Sequence, residues 1–185
     1  NWIITDGTVD LIAQGDFAPG PGIFCAGNTG KCVDLDGSSG NAGAMTSIPL
    51  ALGPGRYALS YALAGVDAGF NQSAAGDTNI VDIVVQPTAG GGAFFADQQT
   101  REQGQPFIPA GGHFDLLAPA TVEIVFQDQG NDNFGAVLDN VVLSVVPAPA
   151  PLALMLGGIM AWLGLGLGLG RGARHNPLVQ TAQRG

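Results

Sequence analysis

Along the segment GPGRYALSYALAG, Tyr57, Leu59, Tyr61 and Leu63 alternate with Arg56, Ala58, Ser60 and Ala62. Side chains of an extended chain point to opposite faces in turn, so a period of two predicts a half-buried β-strand. TVEIVFQD repeats the pattern, with Val122, Ile124 and Phe126 set against Glu123, Val125 and Gln127. NIVDIVVQ is rich in β-branched residues and bounded by Gly76 and Pro87. AFFAD, HFDLLA and AVLDNVVLSVV continue the series, with Gly, Asn and Pro between them. Nearer the N-terminus, WII and TVDLI flank Asp6-Gly7, a pair favoured in two-residue hairpin turns. VDLDG alternates apolar and acidic residues, and AMTSIPL is a strand that Pro49 confines to an edge or an end. No window before Ala150 sustains a 3.6-residue period over three turns. About nine or ten short strands at regular spacing predict an all-β domain over residues 1–146, an antiparallel β-sandwich or jelly roll.

The pattern changes after Val146. A Pro/Ala linker over residues 147–151 leads into an uncharged, almost wholly apolar run, Leu152 to Gly170, ended by Arg171. As a helix this run is about 28 Å long, the thickness of a bilayer's hydrocarbon core. It has no polar face, which excludes an ordinary helix packed on a soluble domain. It predicts a single C-terminal transmembrane helix over residues 152–170. Arg171 and Arg174 then place residues 171–185 in the cytoplasm as a basic tail, with the body outside. The glycines at 164, 166, 168 and 170 create GxxxG spacing, but alternation of Leu with Gly produces that spacing automatically. No basic or apolar leader precedes the first strand, so the exported chain has lost one or is a fragment of a longer protein.

Charge narrows the function. All fifteen acids precede Ala150, and only Lys31, Arg56 and Arg101 oppose them there, leaving −12 on the body; three arginines in the tail bring the chain to −9. A body so acidic repels phosphate, which excludes nucleic-acid binding. Cys25 and Cys32 enclose the glycine-containing loop AGNTGK. In an exported protein they pair as a disulfide; as metal ligands they would make half a zinc site. His113 is the body's single histidine and no GxSxG elbow occurs, so no nucleophilic machinery is legible. Glu102 and Glu123, the two glutamates, lie in no recognisable motif. The acids instead point to calcium, which takes hard oxygen ligands. DQGNDNFG packs Asp128, Asn131, Asp132 and Asn133 into one turn, and Asp34, Asp36 and Asp139 offer further oxygens. The competing reading is an Asx-rich turn whose side chains bond their own backbone. Trp2, Tyr57, Tyr61, Phe94, Phe95, Phe107 and Phe134 are the aromatics available to a sugar platform, and most belong in a core. Phe94 and Phe95 are adjacent, so one of them faces outward.

Two resemblances extend these readings. Val146, Pro147, Ala148 and Pro149, the apolar span, and then Arg171 and Arg174 resemble the PEP-CTERM sorting signal of Gram-negative bacteria. Ala148 stands where that family carries Glu. The resemblance implies an inner-membrane intermediate, an exosortase-type processing partner, and delivery to the cell surface or extracellular matrix. In the body, Asp34 to Gly37, Pro54 to Tyr61, and Gly135 to Val141 resemble, in that order, the motifs of secreted modules with a galactose-binding-like jelly roll. The opening strand of those modules is absent here. This second resemblance implies polysaccharide binding and often a structural calcium. The chain is therefore expected to be non-catalytic, structural or adhesive, with weak polysaccharide binding. A secreted glycan-active hydrolase and a permanently anchored surface protein are the alternatives. Mass spectrometry of the mature protein is expected to show the chain ending before Leu152; an intact peptide spanning Leu152 to Arg171 on the cell surface would leave the permanent anchor.

Overall fold

A computed structural model describes residues 1–15, 25–37, 39, 41–65, 78–130 and 135–148. The described strands fall in the compact unit Asn1–Pro147 and are all antiparallel. In chain order they are β1 (Trp2–Asp6), β2 (Asp10–Ala13), β3 (Lys31–Asp34), β4 (Ala44–Ser47), β5 (Leu50–Leu52), β6 (Gly55–Ala64), β7 (Thr78–Pro87), β8 (Phe95–Glu102), β9 (Ile108–Leu116), β10 (Ala120–Asp128) and β11 (Val137–Val146). One sheet runs β1-β4-β10-β7-β8, with β5 also paired to β10; the other runs β2-β3-β11-β6-β9.

The alternation along the chain builds the interior. Tyr57, Leu59, Tyr61 and Leu63 of β6 are all buried, and Val122, Ile124 and Phe126 of β10 meet them from the other sheet, with Val81, Ile83 and Val85 of β7. Tyr61 and Phe126 touch edge to face across the layers, 5.3 Å between centroids. The two sheets thus make a sandwich around one apolar layer. Burying side chains of this size stabilises by about 1.5–3 kcal/mol each relative to exposure, before entropy is counted. A smaller cluster lies apart, where Ile12, Ala64 and Val137 pack with Cys25 and Cys32, joined as a disulfide with 5.3 Å between Cα atoms.

β4 and β5 are one edge-to-centre strand interrupted at Ile48-Pro49. Both pair with β10, and proline lacks the donor that would continue the ladder. Beside the break, the Ile124 N–H donates to Ser47 Oγ at 3.0 Å, so the β10 backbone stays satisfied. β11 carries an extra residue between Asp139 and Val142, with Asn140 in the left-handed region at φ 55°.

One expectation fails. β1 and β2 do not form a hairpin about Asp6-Gly7: β1 pairs β4 in the first sheet, whereas β2 pairs β3 in the second. Residues 7–9 carry the chain from one sheet to the other, and residues 35–43 carry it back. The two crossings are tied by Thr8 N–H to Asn41 O (3.2 Å) and Gly37 N–H to Thr8 O (2.9 Å), and Gly43 N–H to Leu35 O (2.7 Å) closes the second on itself. A Cβ on Gly43 would overlap the Thr8 carbonyl oxygen and the Val9 side chain, and one on Gly7 would overlap the Ala42 carbonyl oxygen. Gly7 also has φ 54°. The tail from residue 149 onward, with its apolar run and arginines, lies outside the described residues. Among the described residues no helix is long and apolar enough to cross a membrane. Gly43→Ala is expected to cost about 2 kcal/mol or more, since the overlap is with backbone that cannot swing aside; chemical denaturation with the parent as reference measures it.

Candidate functional site

Three of the acids singled out for calcium meet at one end of the sandwich. There β3 ends in Asp34, β10 ends in Asp128, and β11 begins. Asp34, Asp36 and Asp128 are all buried, Asp36 completely. Asp128 Oδ1 accepts from Gly130 N–H at 2.9 Å and Oδ2 from Ala136 N–H at 3.0 Å. Asp34 Oδ1 accepts from Asp36 N–H at 3.1 Å. Two glycines make room for the group. A Cβ on Gly130 would lie 2.8 Å from Asp36 Oδ2, and one on Gly135 would lie 2.7 Å from Asp34 Oδ1.

Such crowding raises the cost of ionisation. Burial pushes the Asp34 carboxyl up to about 7, and the charges of Asp10, Asp36 and Asp128 add to the rise against the Asp36 N–H, which lowers it. Asp10 carries no sequence motif and lies outside the expected calcium set; it faces Asp34 across the β2–β3 ladder. Asn131 and Asp132 lie outside the described residues. Asp139 is engaged elsewhere, where its Oδ2 accepts from Ala26 N–H at 3.0 Å and so fastens the disulfide-closed turn to β11. Among the described residues, no three His, Cys, Asp or Glu side chains are arranged to hold a metal ion. By its hydrogen bonds to Asp36, Gly130 and Ala136 N–H, the cluster clamps backbone at the junction of β3, β10 and β11.

A second polar assembly crosses the interior. The Tyr61 hydroxyl donates to Asp97 Oδ2 at 2.6 Å, and Gln99 Nε2 donates to the same oxygen at 2.8 Å. Arg101, buried in β8, donates from Nε to Leu63 O at 3.0 Å. Burial lifts the Tyr61 pKa, with the bond to Asp97 adding to it, and burial lowers that of Arg101. These bonds tie β8, at the edge of the first sheet, to β6, an inner strand of the second.

The solvent face of the first sheet is the one broad array of paired polar side chains among the described residues. Gln86 Nε2 donates to Glu123 Oε1 at 2.8 Å, Gln98 Nε2 to Asp82 Oδ1 at 2.8 Å, and Gln129 Nε2 to Asp82 Oδ2 at 2.9 Å. Between these groups Val84 and Val125 stand half-buried and directly opposite each other. Cross-strand bonds hold the amides in fixed orientations with donors and acceptors left over, a surface suited to hydroxyl groups. The aromatics lie elsewhere. Tyr57 and Tyr61 are core, and Phe95 packs its ring on Gly112. Phe94, 37% exposed, stacks on Phe114 at the end of the sandwich, while Trp2 lies against Phe126. Phe107 is half-buried, and Phe134 lies outside the described residues. His113 is exposed on the solvent side of the second sheet, opposite Ala58.

No family model matches this chain, and no curated protein matches it. Solved structures of similar outline include a carbohydrate-binding module described as CBM4 (16% identity, TM-score 0.44, covering 78% of this chain and 94% of the module). Another is the CBM22-1 xylan-binding domain from Paenibacillus barcinonensis (12% identity, TM-score 0.47, covering 80% of this chain and 88% of the domain). An exo-β-1,3-galactanase from Phanerochaete chrysosporium gives 18% identity and a TM-score of 0.46, covering 78% of this chain; the chain spans 27% of that enzyme's length. Likeness at these levels carries no weight for ligand or activity.

The Asp34 shift has a definite sign. The folded chain keeps this proton up to about pH 7, whereas the unfolded chain releases it near the ordinary carboxylate value, so its contribution to stability falls as pH rises between them. Asp34→Asn retains an oxygen for the Asp36 N–H and removes the charge. Unfolding midpoints from pH 4 to 8 are expected to show the variant gaining on the parent through that window and staying ahead at pH 8.

Proposed function

We propose that this chain is an exported, non-catalytic surface or matrix protein whose jelly-roll body binds polysaccharide on the solvent face of the first sheet. The observation that carries this reading is the cross-strand array of Gln86, Glu123, Asp82, Gln98 and Gln129 around half-buried valines. Hydroxyl-rich chains are held by fixed amides and carboxylates, with sugar C–H groups against apolar side chains. The absence of an aromatic from the strands' paired positions on this face fits weak, hydrogen-bond-dominated binding of the kind that many copies on a surface reinforce.

The rest of the proposal comes from the sequence. The Val146-Pro147-Ala148-Pro149 motif, the apolar run and the arginines support sorting through the inner membrane by an exosortase-type partner. The buried disulfide fits an oxidising compartment. Calcium is proposed from the sequence alone, where Asp128, Asn131 and Asp132 lie close along the chain; the described carboxylates Asp34, Asp36 and Asp128 are not arranged to hold it.

A glycan array probed with the full chain, with and without calcium, tests the binding reading. Gln86→Ala and Asp82→Ala are each expected to weaken binding roughly tenfold, the loss of a hydrogen-bond set worth about 1.5 kcal/mol, while His113→Ala on the opposite sheet changes nothing. Silence across the array would leave a purely structural role.

A further inference from the structure

The two sheets match rank for rank. The order β1-β4-β10-β7-β8 stands against β2-β3-β11-β6-β9, and every rank joins two strands that follow one another in the chain. β5 is the exception. It continues the rank of β4, with Leu50, Ala51 and Leu52 opposite Val122, Thr121 and Ala120 of β10. Its counterpart in the second sheet would continue β3 along β11. β3 reaches only Val137 and Leu138, and among the described strands none lies beside residues 141–146 on the side away from β6.

The side chains report the same interruption. Val145 lies opposite the core residue Tyr57 and so projects between the sheets, yet it is 64% exposed. Leu143, opposite the buried Leu59, is only half-buried, as are Leu50 and Leu52 of β5. Along an antiparallel edge every second residue turns its N–H and C=O outward, so this stretch presents a row of backbone donors and acceptors as well.

The other edges are guarded against added strands. β8 carries Asp97, Arg101 and Glu102, and β9 carries Pro109. β2 is four residues long and starts at Asp10, and β1 shifts register between Ile4 and Asp6. Residues 141–146 are four valines, a leucine and a serine, with no such guard before Pro147. At about 3.4 Å per residue this edge is about 20 Å long.

Geometry and charge select the occupant. The position is one strand wide, because β5 already fills the same rank of the first sheet. A second folded copy pairing through its own β11 would bring its β10 onto β5, so the position suits an isolated extended segment. The edge itself is uncharged, while the body sets fifteen acids against three bases before Ala150, which repels an acidic segment.

We infer that residues 141–146 take up an extended peptide segment of another protein as an added strand. The segment is uncharged where it pairs, apolar at alternate positions and basic at its ends. Its backbone continues the rank that β3 begins, and its apolar side chains pack between Leu143 and Val145 on one side and Leu50 and Leu52 on the other. This inference stands on strand order and is independent of the glycan reading.

The probe is a synthetic peptide of alternating valine and threonine between terminal lysines, titrated into the full chain and followed by calorimetry and amide hydrogen exchange. The peptide should slow exchange within residues 141–146 and leave β8 and β9 unchanged. A version with proline at a central position, and one with terminal glutamates, should each bind at least roughly tenfold more weakly. Val145→Lys should weaken the parent peptide by a similar factor, whereas Ile108→Lys, on the edge strand β9, should not. Thermal unfolding of both variants separates a lost contact from a lost fold. No binding, equal binding of the proline peptide, protection at another edge, or indifference to Val145→Lys would overturn the inference. Protection of residues 141–146 that grows with protein concentration in the absence of peptide would give the position to a second copy and overturn it too.

Discussion

Everything in this sandwich depends on the two chain crossings packed against each other at Gly7 and Gly43. Each strand's alternation decides which side chains are apolar, but burial requires two sheets, and the chain has to pass between them. At residues 7–9 and 35–43 it does so in opposite directions, with backbone against backbone and hydrogen bonds from Thr8, Gly37 and Gly43 holding the crossing closed. Only residues without a Cβ allow that approach. The crossing sends β1 to the first sheet and β2 to the second. It also brings the end of β3 beside the end of β10.

The acidic cluster follows from that placement. Asp34 and Asp128 come from different sheets and meet because the crossing ends both strands at one place. Asp128 accepts two backbone N–H groups of the segment that leads into β11, which anchors the last strand. The same carboxylates repel one another, and burial holds the Asp34 proton well above its ordinary range. Anchoring and repulsion are thus two consequences of one arrangement. In the second sheet, the disulfide and the Ala26-to-Asp139 bond hold a loop over Ile12, Ala64 and Val137. On the solvent face of the first sheet the polar groups are paired to each other across the strands.

Much of the interior was legible residue by residue. Tyr57, Leu59, Tyr61 and Leu63 announce their common face by spacing alone, as do Val122, Ile124 and Phe126, and Pro49 marks the break between β4 and β5. The true course of the chain at Asp6-Gly7 was not legible. A turn dipeptide reports a local backbone preference, and a crossing between sheets uses the same residues as a hairpin does. Asp10 escaped notice for a related reason. It carries no motif, and it joins Asp34 only through a ladder whose strands are separated by the loop between Ala13 and Lys31.

The sequence by itself determined the all-β character, the inward and outward sets of each long strand, the acidity of the body and the change of pattern after Val146. Those are local or additive properties: side-chain direction alternates within a strand, and charges simply sum. Tertiary structure decided which strands are neighbours, and with that every lateral relationship. Gln86 meets Glu123, Asp82 meets Gln98, and Asp34 comes within reach of Asp128 because cross-strand contacts join residues tens of positions apart. Pairing of that kind is set by the whole core, since a register slip of one residue would turn each buried face to water.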